Sequence, residues 1–239
     1  MIFLSDNGRP FPRDKTSLYD SGIRTPLIIR WPAKIKAASR CLQLVSTIDL
    51  ATTILALAGF PAGSTYIGKD ITSLLEGKDA QVRDVIFAEK NWHDYEDRSR
   101  AVRDRRFKYI MNHYADLPAT PPADAARSDT FREMQRLRAE GRLPAEQSTC
   151  FISPRPREEL YDLNTDPHEL TNLADLPSHR DTLLRMRAEY RQWRITTGEK
   201  NPRLRTPDEF DRDTGKPTPA RIRPRWSKQK MIEEGILLP

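Results

Sequence analysis

Apolar and polar residues follow one another in short blocks along this chain, and the blocks change character near residue 90. The chain opens on Met1-Ile-Phe-Leu4, an apolar run that meets Asp6 and Asn7 almost at once. A second run, Leu27-Ile-Ile29, is closed by Trp31-Pro32. Both read as strands, with a loop and a glycine turn between them. Residues Ser46 to Gly59 read as a helix: Ser46 or Thr47 caps it, Asp49 lies in its first turn and Gly59 ends it. Ile48 and Leu55 are expected on its buried face. Ile71 to Leu75 is a short apolar segment closed by Gly77, and Val85 to Glu89 is a further strand.

Beyond residue 90 the pattern turns antiparallel. Ala101-Val102 and Phe107 to Met111 read as a hairpin with Arg103 to Arg106 at its turn. Residues 117–126 form a Pro/Ala-rich loop, and Ser128 to Glu140 a helix carrying Phe131 and Met134 on one side, with Gly141 after it. Glu159 to Leu163 is another strand, followed by the turn signal Asn164-Thr-Asp-Pro167. Ser178 to Thr197 is an amphipathic helix, because Leu183, Met186, Tyr190 and Trp193 recur at spacings of three and four. Asn201 to Pro239 holds six prolines and no sustained period, so it is expected to wrap over the surface or to stay loose.

Charge adds a partner class to this picture. Forty basic against thirty-four acidic residues leave a net charge of +6, which suits polyanions such as nucleic acid or sulfated glycans and equally a solvated surface. Arg221, Arg223, Arg225, Lys228 and Lys230 with Trp226 make a basic run with one aromatic; its spread suits a solvated arm, and nucleic acid is not the expected partner. No apolar run has the length of a bilayer span. Met1 to Leu4 lacks the basic start of a signal peptide. Cys41 and Cys150 leave one bridge open, and no Cys/His cluster has zinc spacing.

The candidate chemistry sits at the front of the chain. Asp6-Asn7-Gly8 is compatible with a tight hairpin turn. Against that reading, the following residues contain Pro10 and Pro12 rather than a return strand. The alternative is a ligand pair at a strand end, since a carboxylate and an amide carbonyl are hard oxygen donors suited to Ca²⁺ or Mg²⁺. Lys15 follows nine residues after Asp6, and alone it would be a surface charge.

These residues, in this order, resemble the metal-binding segment of the sulfatase family. Tyr19 to Pro32, Val45 to Phe60, Gly68 to Leu75, Arg100 to Ile110 and Glu159 to Ala174 are similar to successive segments of the same family, so the resemblance covers roughly residues 1–195. It implies an α/β fold: the C-terminal part of an alkaline-phosphatase-like core, contributing the last strands of a parallel sheet, plus a smaller antiparallel α+β domain. The expected division is residues 1–94 in the core, 95–200 in the smaller subdomain and 201–239 as a basic, Pro-rich tail. It also implies that Asp6 and Asn7 bind one divalent cation, Ca²⁺ first and Mg²⁺ as the alternative. Lys15 would then contact the sulfate group, and Glu89 and His93 the sugar. Arg9-Pro-Phe-Pro12 and the helical insertion at 123–143 resemble the sulfamidase-like branch, which acts on N-sulfated glucosamine of heparan-type glycans. Full-length relatives are often periplasmic, secreted or lysosomal, and this chain does not fix a compartment.

The family's Cys-x-Pro-Ser-Arg motif, source of the formylglycine nucleophile, does not occur in this chain. The first pair of metal-binding aspartates and the upstream histidines have no counterpart either. The expectation is therefore a C-terminal portion, arising from a gene fragment, a misplaced start or a split polypeptide, whose partner is the missing N-terminal half. The alternative is a non-catalytic fragment that binds sulfated glycans or a partner chain. Arg24 is expected to pair with a carboxylate near the glycine turn. His113, His168 and His179 have no visible partner in the sequence and are read as structural or exposed.

Overall fold

The computed structural model describes residues 1–78, 80–202 and 204–221. Two sheets organise it, one of two strands and one of four. The first holds β1 (Ile2–Leu4) and β2 (Leu27–Ile29), separated by the one-turn helix α1 (Asp20–Ile23) where a plain glycine turn is expected. The two strands pair antiparallel, Phe3 opposite Ile28, which corrects the expected parallel arrangement. The reason lies in the connection. Gly8 N–H donates to the Gly22 carbonyl at 3.0 Å, so the chain closes its own base before the second strand begins. Strands leaving such a base run back along each other. A Cβ on Gly8 would sit 2.2 Å from the Ser21 carbonyl oxygen, and one on Gly22 2.3 Å from that of Asp14, so this closure requires both glycines.

Helix α2 (Asp49–Leu57) is shorter than its apolar pattern suggests, and it is turned the other way. Its buried residues are Asp49, Thr52 and Thr53; Leu55 is half-buried as expected, while Ile48, Ile54 and Leu57 are exposed. Asp49 decides this orientation. Its carboxylate, fully buried, takes a forked ion pair from Arg83 and accepts from Ser46 N at 2.9 Å and Lys69 N at 2.7 Å. Neither Ser46 nor Thr47 caps the helix through its side chain. Helix α3 (Thr72–Leu75) follows, with Ile71 and Leu74 buried.

The larger sheet has the order β3 (Ile86–Trp92), β4 (Glu96–Arg103), β5 (Phe107–Asn112), β6 (Glu158–Asp162), all antiparallel. Between β5 and β6 lie α4 (Ala123–Ala126) and α5 (Asp129–Ala139). The Pro/Ala-rich stretch thus contains a helical turn. Ser128 caps α5 by accepting from Phe131 N, and Phe131 is buried. The two faces of the sheet bury different partners, as the period of two requires. Val102, Tyr109 and Leu160 meet Leu183, Met186 and Tyr190 of α6 (Arg180–Thr197). Ala101, Ile110 and Tyr161 meet Leu18 and Tyr19. Helix α6 ends at Gly198 in the left-handed conformation, φ +64°, the backbone of a helix C-cap.

The segment carrying Leu18 and Tyr19 is fastened by buried charge. Asp20 accepts from Arg103 at 3.0 and 3.1 Å. Lys108, fully buried, lies 2.5 Å from Asp20 and 2.9 Å from Glu169. The chain from Asp208 to Arg221 also packs: Phe210 is buried against Tyr95 and Ala123, and Asp208 accepts from Glu96 N at 2.6 Å. The basic positions Arg223, Arg225, Lys228 and Lys230 with Trp226 lie outside the described residues. Among the described residues, no helix is long and apolar enough to cross a membrane.

Candidate functional site

Chain order places Asp6 and Asn7 two and three residues past the end of β1. The Ser5 hydroxyl donates to the Asn7 carbonyl at 2.9 Å, which bends the chain there. Asp6 is exposed, and among the described residues its carboxylate has no hydrogen-bond or ion-pair partner. Asn7 is half-buried. Their oxygens have the hardness that Ca²⁺ or Mg²⁺ selects. Two donors do not complete such a site: Ca²⁺ takes about six to eight oxygens, and among the described residues no three His, Cys, Asp or Glu side chains cluster to hold a metal ion.

The loop that follows returns on itself. The Arg9 carbonyl accepts from both Phe11 N at 2.8 Å and Lys15 N at 3.0 Å. Lys15 is thereby bonded, through its backbone, to the residue two places after Asn7. Arg13 and Thr16 flank it with φ of +68° and +66°, a left-handed conformation that side chains other than glycine adopt at a cost of about 1 kcal/mol or more. The Arg13 carbonyl, accepting from Ser17 and Ser21 hydroxyls at 2.8 Å each, holds the first of these in place.

The Lys15 ammonium reaches the Asp124 carboxylate at 2.8 Å, with its side chain 22% exposed. Burial works to raise the Asp124 carboxyl, but the Lys15 hydrogen bond, the Ala125 amide and the nearby Lys15 and His93 charges outweigh it and hold it below its ordinary value. His93 lies 3.2 Å from Asp94, whose same oxygen accepts from Ala123 N at 2.7 Å. Lys15 and His93 therefore converge on the start of α4, Lys15 through Asp124 within it and His93 through Asp94 of the β3–β4 connection, which accepts from the Ala123 amide. Glu89 is apart: half-exposed on β3, its carboxylate lies 3.5 Å from Arg100. Among the described residues, no hydrogen bond or ion pair joins Asp6 or Asn7 to Lys15.

Asp94 and Asp124 are the residues that sequence reasoning missed. A signal existed for Asp124, an acid just after Pro121-Pro122 where a helix can start. Three other expectations change. Arg24 forms no ion pair among the described residues, and the carboxylate near the turn, Asp20, belongs to Arg103 and Lys108. His113 has a side-chain partner, the Tyr190 hydroxyl at 2.8 Å, and the His179 ring meets the Ser178 hydroxyl at 3.0 Å, whereas His168 is exposed and, among the described residues, is bonded only through its backbone carbonyl. Cys41 is exposed and Cys150 buried, both as free thiols; burial pushes the Cys150 thiol up to about 12.

Comparison with known proteins adds the family. Residues 11–125, which include Lys15, Glu89, His93 and Asp124, match the family model described as N-sulphoglucosamine sulphohydrolase, C-terminal. Over 201 residues the chain is 39% identical to an Ulvan-active sulfatase of Formosa agariphila, covering 83% of this chain and 33% of that protein. It is 31% identical over 213 residues to human N-sulphoglucosamine sulphohydrolase, covering 82% of this chain and 41% of the relative. A solved 2-O glycosaminoglycan sulfatase superimposes with a TM-score of 0.59 at 21% identity, over 83% of this chain and 36% of the other. The chain thus spans about a third to two fifths of the length of the relatives it matches.

Proposed function

Because the chain belongs to the sulfatase family and corresponds to its C-terminal region, we propose that it forms one wall of an active site that hydrolyses sulfate esters or sulfamates on a sugar. The opposite wall, with the formylglycine nucleophile and the remaining metal ligands, belongs to the N-terminal part of that fold. Exposed Phe3, Ile28, Ile54 and Leu57 give that part an apolar face to cover. In the assembled site Asp6 and Asn7 hold a divalent cation, Ca²⁺ or Mg²⁺. When bound, such a cation supplies Lewis-acid polarisation of the sulfonyl oxygens.

Lys15 is the group of this chain that meets the sulfate. Its compact ammonium stabilises the negative charge that grows on the leaving oxygen or nitrogen as the bond to sulfur breaks. Asp124 positions that ammonium. In this reading His93 and Glu89 bond sugar hydroxyls, His93 from beside Asp94 and Glu89 from β3. The observation that supports this reading most is the Lys15 loop, folded back onto Arg9 beside the Asp6-Asn7 pair despite two left-handed residues. Strain of this kind collects at functional sites.

Two classes of sulfated sugar fit the reading. N-sulfated glucosamine of a heparan-type glycan fits the matched family model, and an ulvan-type sulfated polysaccharide fits the 39% identical relative. The test joins this chain to the N-terminal half of a close relative and assays both kinds of oligosaccharide. Sulfate release from either supports the proposal, and the faster one fixes the substrate class. The chain by itself is expected to release none. Turnover by the highly purified chain alone, or binding of both oligosaccharides without turnover by the joined protein, would favour the non-catalytic alternative or a different chemistry.

A further inference from the structure

Behind Lys15, between the 13–19 loop and the face of the larger sheet, lies a cavity of ≈ 40 Å³. That is room for about three waters, or for one tetrahedral oxyanion of similar bulk. Its walls carry four cations, Arg13, Lys15, Lys90 and Arg155, against two carboxylates, Asp97 and Glu159.

Both carboxylates are already committed. Asp97 is paired with Lys90 at 3.0 Å and, more closely, with Arg155. Glu159 accepts from the Tyr19 hydroxyl at 2.8 Å, the Tyr161 hydroxyl at 2.5 Å and the Asn112 amide at 2.5 Å. Of the cations, Lys15, Lys90 and Arg155 have carboxylate partners and, among the described residues, Arg13 does not. Arg13 gives its terminal nitrogens to the carbonyls of His168 and Glu169 and has no carboxylate partner among the described residues. Its Nε, and the Nε of Arg155, are buried without a hydrogen-bond partner. Arg155 is only 8% exposed. A buried N–H of a charged group left unpaired costs more than a neutral one, so two in one cavity call for an acceptor. Cys150 also lines the space, and as a neutral thiol it brings no competing charge.

We propose that this cavity is a second anion site, separate from the one Lys15 serves at its outer side, and that it takes an inorganic oxyanion of the sulfate class. Guanidinium groups suit a tetrahedral oxyanion because their donors are fixed in a plane and match its edges. Lys15, Lys90 and Arg155 each have a carboxylate partner, Asp124 or Asp97, so the preference for an oxyanion over chloride rests on the two unpaired Nε donors, which several oxygens on one anion can meet together. A sulfate released beside Lys15 would find this site next to it, on a wall that shares the same lysine.

The test is sulfate titration of the purified chain by calorimetry at constant ionic strength, paired with selenium anomalous diffraction from crystals soaked in selenate. One saturable sulfate per chain is expected, with the anomalous peak between Arg13 and Arg155. Arg155→Lys keeps the charge beside Asp97 and removes the Nε donor, and Ala119→Glu adds a carboxylate to the wall without touching an ion pair. Each should weaken sulfate binding by about tenfold or more. Ala119→Gln, with the same bulk and no charge, should weaken it less. If Arg155→Lys does not fold, the comparison of Ala119→Glu with Ala119→Gln carries the test. No saturable binding, equal affinity in those two variants, or a selenate peak elsewhere would overturn the proposal. Binding is read on this chain alone, so it succeeds or fails independently of sulfate-ester turnover.

Discussion

Asp20 is where the Lys15 segment is fastened to the larger sheet, and Asp20→Asn is the perturbation that loosens it. The substitution keeps the shape and removes the charge that faces Arg103 at 3.0 and 3.1 Å and Lys108 at 2.5 Å. Lys108 has no exposed side-chain surface, so its ammonium would be left with Glu169 alone. Glu169 is a poor substitute. Burial raises its carboxyl despite Lys108 at 2.9 Å, whereas at Asp20 burial is outweighed by Lys108 and Arg103, which hold that carboxyl low. Breaking a buried pair from one side costs about 3–5 kcal/mol, a large part of the roughly 5–15 kcal/mol that stabilises an ordinary domain. Glu169→Gln should cost less, since its amide oxygen can still accept from Asp20 N. The sign for pH follows from the lowered Asp20 carboxyl: its stabilisation is present above the ordinary carboxylate range and is lost as pH falls below it. Urea unfolding of the chain, followed by tryptophan fluorescence, gives the loss; hydrogen exchange shows whether residues 13–23 open first. The double variant with Lys108→Met should recover part of it, with a coupling of about 1–3 kcal/mol. A loss below about 1 kcal/mol, with additive variants, would refute the view that this charge cluster holds the loop.

Two further expectations concern the rest of the chain. Burial, then the charges of Arg98 and Arg100, push the His113 imidazole down to about 4, so the fold prefers it neutral. Its contribution to stability is complete above the ordinary value near 6.5 and falls away as pH drops toward 4, and melting temperatures of His113→Gln against the parent should converge or cross over that window. Phe3 and Ile28 are cross-strand partners, 57% and 56% exposed, so the pair Phe3→Ser with Ile28→Ser should reduce aggregation seen by light scattering while changing stability little.

The elements that sequence made legible are those whose signals are local. The 101–111 hairpin, the Glu159 strand, the helix that starts at Ser128 and the Leu183–Met186–Tyr190 face of α6 all stand in the structure. Two kinds of feature were hidden. Strand direction in three-residue strands depends on how the connection closes, and the Gly8–Gly22 bond that decides it spans a loop with no period. The inverted face of α2 follows from Arg83, thirty-four residues beyond Asp49. The candidate site divides the same way. Asp6, Asn7 and Lys15 stand out in order along the chain, but Asp124 meets Lys15 across a separation of 109 residues, which no local pattern reveals.

Lys15 offers the most direct measurement of the central claim. In this chain joined to the N-terminal half of a close relative, kcat/KM for sulfate release should fall about 10²–10³-fold in Lys15→Ala, the usual loss when a donor to developing negative charge is removed. Lys15→Arg should retain a larger share, because it keeps the charge. Unchanged kcat/KM in Lys15→Ala, in a joined protein that folds and turns over substrate, would contradict the assignment of this loop to the sulfatase active site.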